Sequence, residues 1–172
     1  MDVQIAIEPE DVPAELYRLS DAYLDAAENL NAQILRDDWE SSYQRGQVVL
    51  FLAFHAVELC LKACIKTAEP SENPSYHTLP KLAEQLNTLV PDLNYRVPFR
   101  AEPVSPPTPE LRAKMEADAR VAHQQLRYPA DKTGNPWQGV FGFSARLFQG
   151  TLEDIRSELL RIRDHVAKHH DG

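Results

Sequence analysis

The sequence predicts an all-α fold, a four- to five-helix up-and-down bundle, and three observations carry that expectation. Glycine is nearly absent from the first three-quarters of the chain, Gly46 being the only one before Gly134. Strands joined by tight turns need more glycine than that. Apolar residues recur in steps of three and four in several separate stretches, the period of a helix that buries one face. Residues 48–65 are apolar all round except for His55, Glu58 and Lys62, the pattern of a helix enclosed by other helices.

The first helix is expected to open near Pro13, a residue suited to the first turn, with Asp11 as its cap. Its predicted buried stripe is Leu16, Leu19, Tyr23, Ala27, Leu30 and Ile34, with Asp21, Asp25 and Glu28 largely off it. The second helix, capped by Ser41 or Ser42, is expected to run to about Ala68, where Glu69-Pro70 stops it. A short third helix follows, capped by Thr78 and carrying Leu79, Leu82, Leu86 and Leu89 or Val90 inward, and it ends before Pro91. Residues 91–109 are proline-rich and read as an extended connection. Thr108-Pro109 opens a fourth helix to about Gln125, and Leu126–Phe143 reads as an irregular insertion with room for a short hairpin. The last helix begins between Ser144 and Thr151, with Phe148, Leu152, Ile155, Leu159, Ile162 and Val166 as a seven-residue repeat suited to a long seam.

A chain of 172 residues with 43% hydrophobic residues supports one core, so a single domain over 1–172 is expected, with loose ends near 1–11 and 168–172. The net charge of -8 excludes a protein whose whole surface binds polyanions. Acids dominate residues 1–36, whereas the balance turns slightly basic after residue 91, so an anionic partner is expected to meet the C-terminal half. The longest unbroken apolar run, Val48–Phe54, is short for a membrane span, and the opening MDVQIAIEPEDVP lacks the order of an export signal. A cytoplasmic protein without a membrane partner is therefore expected. Cys60 and Cys64, four apart on a helix with no second pair, read as buried small hydrophobes and not as a zinc site.

No phosphate-binding glycine loop, nucleophile elbow or H-E-x-x-H motif is present. His165 and His169 share a helix face, yet no third ligand accompanies them except Asp171 at a fraying end, so neither a metal nor a cofactor is expected. The best-defined cluster is His55, Glu58 and Lys62, which fall on one stripe of the central helix. Glu58 and Lys62 have the spacing and order of an ion pair. Buried polar groups demand partners, and His77 and Arg127 are the candidates to reach Glu58. The cluster either ties a loop to the core or lines a cleft for a nucleotide or phosphate. Arg127, Tyr128, Asp131 and Lys132, followed by Trp137, form a second candidate surface, because bases stack on aromatics while Arg and Lys hold phosphates.

Three segments taken in order, His55-Ala-Val-Glu58-Leu-Cys-Leu61-Lys62-Ala63, His77-Thr-Leu79-x-x-Leu82 and Leu126-Arg127-Tyr128-Pro129-x-Asp131-Lys132, resemble the HEPN superfamily over about residues 15–165. That resemblance implies a helical bundle, often a homodimer through its terminal helices, associated with RNA or nucleotides. It implies a bacterial defence or toxin–antitoxin setting, with a nucleotidyltransferase as a possible partner. Many members are metal-independent endoribonucleases with an R-x4-6-H motif. Arg163 with His169, or with His170 one residue further, is the match here. In that chemistry Arg holds the phosphate and His moves the proton of the attacking 2′-hydroxyl. On a continuous helix at about 100° per residue, however, positions six apart diverge by about 120°, and only His170 shares the face of Arg163. A binding or partner module is thus the first expectation, an endoribonuclease the second and a helical protein–protein adaptor the third.

Overall fold

The computed structural model describes residues 11–36, 43–98, 108–110, 113, 124–126, 133–135 and 143–170. Among them the regular elements are helices: α1 (Val12–Arg36), α2 (Tyr43–Ala68), α3 (Leu79–Leu89), a single 3-10 turn over Pro91–Leu93, and α4 (Ala145–His170). The chain is an all-α helical bundle. Pro109, Glu110, Ala113, Gln124 and Gln125 are also helical, and the remainder of the expected fourth helix, most of the proline-rich connection and most of the insertion before α4 lie outside the described residues.

Local chemistry accounts for the helix ends. Asp11 Oδ1 accepts the Ala14 amide at 2.9 Å, so the predicted cap closes the first turn of α1. Thr78 stands at the N-cap of α3 with Pro80 just inside it, although the threonine hydroxyl makes no capping bond. Past α3, Asn94 takes a left-handed φ of 47°, which asparagine tolerates. Asn87 then clamps the backbone of Tyr95, donating to its carbonyl at 2.9 Å and accepting its amide at 2.7 Å.

α1 and α2 run antiparallel: Tyr17 meets Thr67, Ser20 Oγ donates to the Ala56 carbonyl, and Tyr23 meets His55. α4 lies antiparallel to α1, with Asn31 donating to the Ala145 carbonyl at one end and Arg163 meeting Asp21 at the other. α4 therefore runs with α2 and against α1. α2 is the central helix, with Val49, Ala53, Val57, Leu61 and Ile65 all fully buried. By length and mean hydropathy it would also pass for a membrane span. Glu58 and Lys62, which interrupt it, pair with each other, and the bundle covers 61% of its most apolar stretch. Gly46 lets α2 approach the chain before α4, since an added Cβ would fall 2.6 Å from Phe143 Cβ.

Two expectations about faces divide. The α4 seam holds, with Leu152, Ile155, Leu159, Ile162 and Val166 buried and Phe148 packed against them. On α1 the stripe is rotated: Ser20, Leu24, Ala27, Asn31 and Ile34 are buried, and Leu19 is 41% exposed. The inward line includes two polar residues that donate to backbone carbonyls, Ser20 through Oγ and Asn31 through Nδ2. A reading that follows apolar residues alone drifts to the neighbouring line.

Candidate functional site

Glu58 is the centre of the polar cluster on α2. It is 3% exposed, and its Oε1 accepts from Lys62 Nζ at 2.8 Å and from His77 Nδ1 at 2.9 Å. Its other oxygen lies 3.5 Å from His55 Nδ1, an electrostatic contact too long for a good hydrogen bond. Burial by itself pushes the Glu58 carboxyl up, but the contacts with His55, Lys62 and His77 outweigh it and hold the group at about 2. The carboxylate is thus ionised at neutral pH and is an acceptor only. It follows that His77 carries its hydrogen on Nδ1 and that Nε2 is the basic position of the neutral ring.

Helix geometry and one connection bring these groups together. His55, Glu58 and Lys62 share a stripe because they are three and four residues apart. His77 arrives from the segment between α2 and α3, which is itself tied down where Lys66 donates to the Glu72 carbonyl and Gln85 donates to the Glu72 carboxylate. His55 is an aromatic core member as much as a polar one. It sits edge-on to Tyr23 at 4.6 Å and stacks on Phe51 at 5.7 Å. His77, by contrast, leaves 65% of its side chain exposed. Tyr76 beside it is 45% exposed, with the Lys81 ammonium 4.8 Å from its ring centroid. A buried carboxylate therefore orients a surface imidazole next to a phenol and an ammonium.

The four residues His55, Glu58, Lys62 and His77 come together as a cluster. Arg127, Tyr128, Asp131 and Lys132, with Trp137, lie outside the described residues. Of the α4 candidates, the side chain of His170 lies outside the described residues. Arg163 is engaged on α1, with NH1 and NH2 donating to the two Asp21 oxygens at 2.7 and 3.0 Å and the guanidinium 4.4 Å above the Tyr17 ring. His169 is exposed, and α4 continues through the positions expected to be loose, to His170. His165 Nε2 donates to Asp92 at 3.0 Å, fastening the 3-10 turn to α4. Among the described residues no group of three or more His, Cys, Asp or Glu is placed to hold a metal.

Sequence reasoning missed the α1–α4 ion pairs. Arg156 reaches Glu28 at 2.7 and 2.8 Å and also Asp25, one and two turns from the Asp21–Arg163 pair. The signal was present as acids at 21, 25 and 28 and arginines at 156 and 163, spaced to meet across two antiparallel helices. It also missed an open groove of about 790 Å³ between the same helices, lined by Ala32, Leu35, Leu152 and Leu160 and flanked by Arg36 and Glu153. Leu35 and Leu160 are 36% and 55% exposed there.

No family model, curated protein or solved structure matches the chain.

Proposed function

We propose that the chain is an HEPN-type helical module that associates with RNA or nucleotides, acting in the cytoplasm in a bacterial defence or toxin–antitoxin setting. One observation carries this reading: two of the three segments on which the resemblance rests, 55–63 and 77–82, meet through the 2.9 Å bond between Glu58 and His77. That bond sets an oriented imidazole beside Tyr76 and Lys81 on the surface. An ammonium suits phosphate oxygens, and a partly exposed tyrosine ring suits a base. The apolar groove between α1 and α4 supports a homodimer, because its rim carries both signs of charge and so can complement its own copy. A nucleotidyltransferase is the partner the resemblance favours.

Binding of fluorescent single-stranded RNA, duplex RNA and nucleoside triphosphates by the purified chain tests the reading. Saturable binding that His77→Ala/Lys81→Ala weakens supports it, and no binding of any of the three defeats it. The endoribonuclease reading ranks second because Arg163 is already held by Asp21 and Tyr17. RNA cleavage in chelator that an Arg163→Ala/His169→Ala/His170→Ala variant abolishes would move it to first place.

A further inference from the structure

Leu35 and Leu160 both line the groove between α1 and α4, and both stay exposed. The register of the two helices fixes where each stands. Arg163 is level with Asp21 and Arg156 with Glu28. Leu35 therefore falls beside Gln149 at one end of the groove, and Leu160 lies at the other. The charges along the groove are ordered as well. Glu153 is exposed and has no ion-pair partner among the described residues, only a 3.4 Å contact from the Gln149 amide. One turn on, Arg156 is 33% exposed and is shared by Asp25 and Glu28. Glu153 and Arg156 lie symmetrically about the midpoint of residues 149–160, as Gln149 and Leu160 do.

We propose that a second copy of the chain fills this groove, packed about a two-fold axis that crosses the helices at right angles between Asp154 and Ile155 of α4. This rests on the homodimer of the reading above and fixes which way round its subunits lie. An isologous contact exchanges positions between the two copies. Each Leu35 covers the partner's Leu160, and each Glu153 meets the partner's Arg156. At the ends of the groove, Arg36 comes level with the partner's Asp25, one of two carboxylates that share a single arginine. A two-fold axis along the helices would instead set Glu153 on the partner's Glu153 and Arg36 on the partner's Arg36, and like charges brought together disfavour it. The choice of axis bears on chemistry. At about 1.5 Å per residue, Arg163 lies about 13 Å along α4 from the proposed axis, so the two copies of Arg163 are about 25 Å apart. They cannot close on one phosphate, and the dimer holds the two copies of the candidate nuclease motif away from each other, in keeping with a binding module.

The test is cross-linking of the Leu35→Cys and Leu160→Cys variants with a short bismaleimide, the wild type serving as control for the buried Cys60 and Cys64. Both leucines are exposed, so the variants keep the fold. Like positions lie about 16 Å apart across the proposed axis. Each variant alone should therefore cross-link poorly, and an equimolar mixture of the two should cross-link well. Sedimentation of the wild type should give twice the chain mass, and Glu153→Lys should weaken the dimer by roughly tenfold. Efficient cross-linking of each variant by itself would overturn the axis while leaving a homodimer, and unchanged self-association of Glu153→Lys would overturn the charge exchange. A wild type that sediments as a monomer would overturn the dimer outright. None of these results touches RNA or nucleotide binding at Tyr76 and Lys81, which is measured on its own.

Discussion

Arg163 of α4 places two nitrogens on the two carboxylate oxygens of Asp21 in α1, at 2.7 and 3.0 Å, while its guanidinium stacks on Tyr17. Burial opposes the charge on Arg163, and the Asp21 carboxylate more than restores it. A residue whose spacing matches a nuclease motif is thus engaged as a fastener between the first and last helices. Arg163→Ala should cost about 1–2 kcal/mol, an upper figure for a forked pair that is half open to water. Lysine should not recover the loss, because it lacks the fork. Hydrogen exchange in residues 160–170 should speed up in the variant. Unchanged protection there would show that the pair contributes nothing.

Glu58 makes a sharper prediction. Replacing it by alanine leaves Lys62 and His77 without their shared acceptor, and loss of one partner from a buried ion pair costs about 3–5 kcal/mol. Urea unfolding should show this as a lower midpoint. A shift of under a degree in melting temperature would count against the observed burial.

The same carboxylate shapes the acid limb of stability. Its value of about 2 in the folded chain lies below the ordinary 4.5, so the unfolded chain binds the extra proton first. The stabilisation is complete above about pH 4.5 and is lost as pH falls toward about 2. Glu58→Gln should flatten that part of the curve. A wild-type profile already flat across the window would contradict the contacts to Lys62 and His77.

Gly46 has no room for a side chain. Gly46→Ala puts a methyl against Phe143 Cβ and Cγ, which are near the backbone and cannot swing aside. Overpacking of this kind costs about 1–3 kcal/mol. If the variant melted at or above the wild-type temperature, the close approach of α2 to the start of α4 would be wrong.

Ser20 offers the complementary case. Its hydroxyl donates to the Ala56 carbonyl at 2.8 Å in a buried position. Ser20→Ala should change stability by less than about 1 kcal/mol, the net worth of one neutral hydrogen bond. Ser20→Leu should cost about 1–3 kcal/mol, because the packed α1–α2 seam lacks the volume. Equal melting temperatures for the two variants would place the residue outside that seam.

Where residue type and position agreed, the sequence was easily read. The Asp11 cap, the end of α2 at Ala68, the α3 leucines and the α4 seam all follow from local rules. Glu58 demanded partners because a charge on an apolar helix must have them, and His77 stood next to a predicted cap. The α1 stripe was misplaced because Ser20 and Asn31 look like surface residues until the carbonyls of Ala56 and Ala145 come within reach. No local rule announces a partner that far along the chain. The arginine–acid pairs between α1 and α4 were hidden for the same reason, since only the antiparallel register brings 21 to 163 and 28 to 156.

The parallel run of α2 and α4 also governs the order of assembly. α1 and α2 are neighbours in sequence and close into a hairpin at little entropic cost, whereas α4 must return across residues 69–144. During synthesis the apolar side of α2 that faces α4 emerges long before the helix that covers it. The nascent chain therefore passes through a stage with its most hydrophobic helix half wrapped. Slow arrival of the last helix is the interval in which this protein is open to misassociation or to capture by a chaperone.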